Sequence, residues 1–439
     1  MSRETENRYD GVALPLTEIS VLKELEAVVR ENDYPGEDTP IRFKDKIVID
    51  EGAIGFHVEQ NTVLALSVRC CALTSLPESL GQLSNLQHLD LTGNQLTALP
   101  ESLGNLLHLK KLYVDANQLV ELPKSLGNLI HLEELHVDVN RLTTLPENIG
   151  QLINLKTLRL YGNQLVALPT SICQLTHLKD ISVGNNQLAV LPELFWQLID
   201  LQSLNVAENQ FSSLPESIGD LTYLHTLDLG HNQLTALPES LGNLTNLTFF
   251  LYLHNNQLTA LPESLFEKLS NLAYLNLSDN RLMALPESIG NLRDLKELRS
   301  SNNELTLLPE SLGNLTNLRE LHLKNNRLVS LPESLGNLTH LKELYLSDNG
   351  LMLLPESLAN LTCLTHLDLR NNRLSALPES LGNLRRLTHL DLRNNRLKSL
   401  PRYIGDLAYL EKLDLRWNKL SSLPAWLQRL EQRGCTVLM

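Results

Sequence analysis

Leucine recurs along this chain with a fixed rhythm. From Leu86 the sequence reads L-Q-H-L-D-L-T-G-N-Q-L-T-A-L-P-E-S-L-G-N-L, and the same frame returns every 23 residues. Its asparagine falls at Asn94, Asn117, Asn140, Asn163, Asn186, Asn209 and Asn232. It passes Asn256 and Asn280 after one-residue slips, then resumes at Asn303, Asn326, Asn349, Asn372, Asn395 and Asn418. One step before Asn94 the frame lands on Cys71, which makes sixteen repeats. The L-x-L alternation predicts a short strand with one buried face. In P-E-S-L-G-N-L the proline sets the first helical residue and the glycine ends the turn, so each repeat also predicts a short helical or 3-10 turn. Proline checks the frame: of 19 in the chain, 16 lie between Pro77 and Pro424 and occupy one phase, the Leu-Pro step.

A unit this small cannot bury its apolar face alone, so successive units must stack. Stacked strands run parallel, about 4.8 Å apart. The asparagine side chain can bond turn backbone that no strand ladder reaches; unpaired, each buried group costs roughly 1–3 kcal/mol. Cys71 fills the same slot at the edge rung as a small, weak donor. The motif L-x-x-L-x-L-x-x-N-x-L is that of the leucine-rich repeat. The expected fold is therefore an α/β solenoid: a leucine-rich repeat horseshoe with a parallel β-sheet on its concave face and short helical or 3-10 turns on its convex face, over residues 63–423.

Residues 1–62 break the pattern and are expected to cap the first rung, whose core and strand edge would otherwise lie open. Thr17 predicts the start of a helix to about Arg30, with Ile19, Leu22, Leu25 and Val29 on one face. Residues 35–40 read as a loop, 41–49 and 55–59 as strands, and Gln60-Asn61 as a turn before a strand over 63–68. Residues 424–439 read as a C-terminal capping helix and tail, with Trp426 and Leu427 facing the last rung.

The 439 residues carry 37 basic and 51 acidic side chains, a net charge of −14. That argues against nonspecific nucleic-acid binding, which draws on phosphate neutralisation by Lys and Arg. No run of about 18 apolar residues predicts a membrane span, and the charged N-terminus does not read as a signal peptide. Five scattered cysteines, Cys70, Cys71, Cys173, Cys363 and Cys435, fit a reduced compartment better than a disulfide framework. The expected location is the cytoplasm. No P-loop, kinase, G-x-S-x-G or H-E-x-x-H motif occurs, so no enzyme activity and no cofactor are expected.

The consensus L-P-E-S-[LI]-G-N-L-x-x-L-x-x-L-x-L-x-x-N-x-L resembles the intracellular 23-residue class of Ras-binding scaffolds, Ras-suppressor proteins, the LAP proteins Scribble and Erbin, and plant Ras-group-related proteins; prokaryotic sequences share it. The resemblance implies a protein-interaction scaffold whose partner is a small GTPase or a phosphatase. A secreted bacterial effector or adhesin that binds host proteins is the alternative.

Partner contacts are expected at the third, fifth and seventh motif positions, on the concave strand face. Four clusters stand out. The first holds Lys111, Tyr113, Asp115, Glu134, His136, Asp138, Arg159 and Tyr161. The second centres on the first slip, where either Phe249 or Phe250 must bulge, beside Tyr252, His254 and Tyr274. The third holds Arg299, Glu320, His322 and Tyr345, beside Ser300, which replaces a core aliphatic and predicts a locally weak rung. The fourth is a ladder of columns: Asp368, Asp391 and Asp414; Arg370, Arg393 and Arg416; and His366, His389 and Lys412. Residues 361–439 hold 13 basic and 7 acidic side chains, a polarity that suits an acidic partner surface, although Asp and Arg can neutralise each other across rungs. His366 and His389, flanked by Asp368 and Asp391, form a metal-capable pair, but adjacent identical residues are also what duplication leaves behind, and no metal is expected.

Overall fold

The computed structural model describes residues 8–31 and 55–439. The loop and strand expected over 35–49 lie outside the described residues. The chain forms two compact units, Met1–Gln210 and Phe211–Met439.

In the first unit a hairpin, β1 (Arg8–Tyr9) and β2 (Val12–Ala13), turns on Asp10 and Gly11, with φ of 48° and 84°. That pair of left-handed residues is what a two-residue hairpin turn requires. The helix α1 spans Leu16–Glu31 and buries Ile19, Leu22, Leu25 and Val29. β3 (Gly55–Glu59) and β4 (Thr62–Ser67) are antiparallel about Gln60-Asn61, whose φ values are 49° and 63°. From β4 the sheet continues in parallel through His88–Asp90, Lys111–Tyr113, Glu134–His136, Thr157–Arg159, Asp180–Ser182 and Ser203–Asn205. The register advances by one 23-residue repeat per strand, which keeps each motif position in a straight column. The helix α1 closes the edge through the buried Glu18: its carboxylate accepts the Val63 N–H at 2.9 Å and the Thr62 hydroxyl at 2.8 Å.

In the second unit, parallel strands run from Thr226–Asp228 through Phe250–Tyr252, Tyr274–Asn276, Glu297–Arg299, Glu320–His322, Glu343–Tyr345, His366–Asp368 and His389–Asp391 to Lys412–Asp414. A helix over Trp426–Gln432 buries Trp426, Leu427 and Leu430 against the last rung. A feature absent from the sequence reading follows it: Gly434 turns the chain at φ 92°, and Thr436–Leu438 adds one more parallel strand to Lys412–Asp414.

The repeat physics is uniform. Leu89, Leu91 and their equivalents are buried, and each Leu-Pro step from Pro77 to Pro401 leads into a 3-10 turn such as Glu101–Asn105. The fold is a leucine-rich repeat solenoid. Asn117 shows the asparagine's work: Oδ1 accepts the Leu96 N–H at 3.0 Å, and Nδ2 donates to the carbonyls of Leu91 and Val114, each at 3.0 Å. At the edge rung Cys71 donates its thiol to the Arg69 carbonyl at 3.2 Å. Burial pushes that thiol up to about 12, and the neighbouring Cys70 adds to the shift, so it stays protonated as a donor.

Ser300 is fully buried and its hydroxyl has no hydrogen-bond partner. The backbone passes through undisturbed, since the Ser300 N–H donates to the His322 carbonyl at 2.8 Å. The weakness of that rung is one missing aliphatic side chain, without a break in the ladder.

Candidate functional site

The third, fifth and seventh positions form three columns on the open face of each sheet. In the first unit the predicted residues Tyr113 and His136 pack at 4.4 Å between ring centroids, and His88 meets Tyr113 edge-on at 5.0 Å. His88 belongs to the same ladder and was missed, although it occupies the third position of its repeat. Glu134 ties this ladder laterally: it accepts from the Tyr113 hydroxyl and pairs with Lys111 at 3.0 Å. Arg159 is turned aside to Asp180 at 2.7 Å, and the Tyr161 hydroxyl donates to Glu208 at 2.9 Å.

Two carboxylates stack beside this ladder. Asp115 Oδ1 accepts the Asp138 N–H at 2.7 Å, and Asp138 Oδ1 accepts the Tyr161 N–H at 2.6 Å. Burial holds the Asp115 carboxyl up at about 6, and the charges of Asp138 and Asp90 push the same way. Burial lowers His136, with Arg159 acting in the same sense. The ladder therefore sets half-buried acids beside a histidine held below its usual range, and rings and charges share one face.

In the second unit the slip resolves clearly. Phe250 keeps the strand position opposite Thr226, and Phe249 is the extra residue ahead of it. Neither ring tucks under a neighbouring rung: Phe249 is 56% exposed and Phe250 40%. Phe250 stacks on Tyr252 at 5.5 Å, both meet Tyr274 edge-on, and His254 meets Tyr252 at 5.8 Å. Arg299 lies over Tyr274 at 5.9 Å. The sequence-predicted Phe250, Tyr252, His254, Tyr274 and Arg299 thus share one aromatic patch.

Further along, His322 stacks on Tyr345 at 4.7 Å, and Lys324, which was not anticipated, lies over the same Tyr345 ring at 4.8 Å. Glu297, Glu320 and His322 present ligand-type atoms within 4.8 Å of one another. His322 is held below its usual range by burial, and its Nε2 bonds Glu320 at 3.2 Å; Arg299 is bound to Glu297.

The three C-terminal arginines are not free cations. Arg370 pairs with Asp368 at 3.6 Å, and Arg416 with Asp414 at 2.6 Å. Arg393 bridges two rungs, meeting Asp391 at 2.6 Å and Asp414 at 3.2 Å. The Arg and Asp columns neutralise each other, so the predicted acidic-partner patch keeps Lys412 as its exposed cation. Trp417, 70% exposed and beside Arg416, was missed because it occupies the eighth motif position, outside the columns considered.

A family model for the leucine-rich repeat region matches residues 63–141, 124–210, 192–273, 263–349 and 330–432. The chain belongs to the leucine-rich repeat family. Among solved structures it is similar to a leucine-rich repeat protein of Leptospira interrogans, with 38% identity and a TM-score of 0.78, over 85% of this chain and 95% of that one. It is also similar to the plant peptide hormone receptor RGFR1, solved in complex with RGF2, with 32% identity and a TM-score of 0.71, over 83% of this chain and 64% of the receptor chain. The Toll–Spätzle complex of Drosophila matches at 28% identity and a TM-score of 0.72, over 83% of this chain and 52% of that one. No curated protein sequence matches the chain.

Proposed function

We propose that this protein is a non-enzymatic protein-binding scaffold whose partner docks on the open sheet face of the second unit, centred on Phe249, Phe250, Tyr252 and Tyr274. The exposure of two adjacent phenylalanines carries the reading. Aromatic side chains on a rigid surface are what interface hot spots are made of, and in the second unit every strand but the neighbouring Tyr274–Asn276 has a charged, threonine or histidine side chain at the column position of Phe250. RGFR1 and Toll, solved with peptide or protein ligands, support a binding role for the fold. The resemblance of the consensus to Ras-binding scaffolds makes a small GTPase or a phosphatase the first partner classes to test. Five free cysteines, Cys70 exposed among them, support a reducing compartment such as the cytoplasm. The second reading is a bacterial effector or adhesin with a host protein as partner; the Leptospira relative supports only that a bacterium carries such an array.

The test is affinity capture from the source lysate with wild type, with Phe249→Ser/Phe250→Ser, and with Arg393→Glu/Arg416→Glu. A partner lost by at least about 30-fold in the phenylalanine variant, equivalent to about 2 kcal/mol, supports the assignment. A partner held equally by wild type and that variant refutes the site. A partner found only in host lysate turns the reading to the effector.

A further inference from the structure

One residue ahead of each strand, the second motif position forms a further column, along the edge where the strands of the second unit begin. It runs through Phe249, Ala273, Lys296, Arg319 and Lys342. Backbone bonds stitch it rung to rung. The Lys296 N–H donates to the Ala273 carbonyl at 2.9 Å, Arg319 to Lys296 at 2.8 Å, and Lys342 to Arg319 at 2.8 Å. The column is therefore held as firmly as the sheet itself. Phe249 is its corner with the open face: the ring lies 6.4 Å from His225, the preceding member of the column, and 6.5 Å from Phe250.

Lys296, Arg319 and Lys342 are exposed, and none of their side chains makes a hydrogen bond or an ion pair among the described residues. The acid next to each in sequence is committed to its own strand. Glu297 holds Arg299, Glu320 meets His322 at 3.2 Å, and Glu343 accepts from the Tyr345 hydroxyl at 2.5 Å. Like charges on neighbouring rungs, about 4.8 Å apart, repel and cost stability. Elsewhere the chain relieves that cost. In the first unit Glu133 interrupts the same column between Lys110 and Lys156 and pairs with Lys156 at 2.6 Å. In the C-terminal columns the aspartates neutralise the arginines. The row from Lys296 to Lys342 has no such relief, and an anion from outside would supply it.

Resting on the docking role of Phe249 and Phe250, we propose that this row is the second half of the same site, and that its occupant is an extended acidic segment of the partner. An apolar side chain of the segment seats on the phenylalanines, and its carboxylates meet Lys296, Arg319 and Lys342. The spacing fixes the pattern. Lys296 is two rungs from Phe249, about 10 Å, and Lys342 four rungs, about 19 Å. An extended chain advances about 3.3 Å per residue, so the acids belong about three to six residues from the apolar anchor. The phenylalanines favour such a peptide over a nucleic-acid strand, whose phosphates would also meet the net charge of −14.

The experiment pans a displayed library of random dodecapeptides against the full-length chain at low salt. The recovered peptides are then synthesised with a fluorophore and titrated by anisotropy. Peptides with an apolar anchor and acids at that spacing are expected. Lys296→Gln/Arg319→Gln/Lys342→Gln should weaken them about 10-fold, the sum of three exposed ion pairs, and added salt should do the same to wild type. Lys110→Gln/Lys156→Gln/Lys179→Gln removes equal charge from the same column in the first unit and should change binding less than about 2-fold. Recovery of no peptide, recovery without acidic residues, or equal loss in both lysine-arginine variants overturns the proposal. Peptides that need the phenylalanines but tolerate Lys296→Gln/Arg319→Gln/Lys342→Gln overturn the cationic row alone and leave the docking site standing. Peptides that need the row but bind Phe249→Ser/Phe250→Ser as wild type refute the docking site and the joined track with it. An oligothymidylate that binds the row more tightly than the best peptide overturns the proposal in favour of a nucleic acid.

Discussion

Val139 occupies a backbone conformation that valine resists. It precedes the repeat asparagine Asn140, has a φ of 54°, and is 55% exposed. In the equivalent slot other repeats place Asn185, Asn255, Asn302, Asn325, Asn371 and Asn394, or the glycines Gly93 and Gly162. The left-handed region costs roughly 1–2 kcal/mol per residue for an ordinary side chain, and asparagine relieves much of this through its short polar group. A β-branched residue there is a true outlier. The backbone bond at this slot, Val139 N–H to the Tyr161 carbonyl at 2.7 Å, does not depend on the side chain. Val139→Asn is therefore expected to stabilise the first unit by about 1 kcal/mol, which raises its melting temperature by roughly 2–4 °C for a unit of this size. Thermal melting and the urea midpoint, read from a probe in the first unit, measure it. Val166→Asn is the control, since Val166 is 57% exposed and has no positive φ. If Val139→Asn leaves the midpoint unmoved or lowers it, or if the control gains as much, the strain argument is wrong.

Three further outcomes are expected. Ser300→Val should raise stability by about 1–2 kcal/mol, because it removes an unpaired buried hydroxyl and restores an aliphatic to the column; a loss in the denaturant midpoint would show that the rung cannot accept the volume. Glu18→Ala should cost the first unit about 1–3 kcal/mol by orphaning the Val63 N–H, visible as faster hydrogen exchange at Val63; unchanged exchange would remove Glu18 from the cap. Asp115→Asn should stabilise at pH 7.5 and do little at pH 4. The folded Asp115 binds its proton more tightly than the unfolded chain does, up to about 6. Stability is therefore greatest below the unfolded value of about 3.9 and falls as pH rises through about 6. A gain of equal size at both pH values would refute that linkage.

The repeat array was legible because its burial code is written in one residue type at fixed spacing, so a leucine count nearly suffices to place each strand and turn. The columns were legible for the same reason, and Tyr113 with His136, or Phe250 with Tyr252 and Tyr274, meet as their positions imply. Pairing within the columns was not. Spacing alone cannot say that Arg393 reaches both Asp391 and Asp414, or that Arg159 turns to Asp180. The last strand, Thr436–Leu438, is three residues beyond a helix and has no alternation to betray it; it exists because the Lys412–Asp414 edge needs a partner. The Asp10-Gly11 hairpin was readable from its turn pair but too short to stand out.

The asparagine geometry gives the array a direction. Asn117 takes the Leu96 N–H and gives to the Leu91 carbonyl, and Asn372 does the same with Leu351 and Leu346. Every such side chain fastens its own rung to the one before it and never to the one after. Within each unit the stitching is thus one-way. Trimming a rung from the carboxyl end strips its predecessor of the asparagine that served both a donor and an acceptor, whereas trimming from the amino end idles an asparagine amide and orphans backbone donors such as the Lys110, Lys111 and Gln118 N–H groups, which reach the rung before. Both edges therefore need a seal, each of a different kind. The helix α1 with β3 supplies it at the amino end, and the helix over Trp426–Gln432 with its trailing strand supplies it at the carboxyl end.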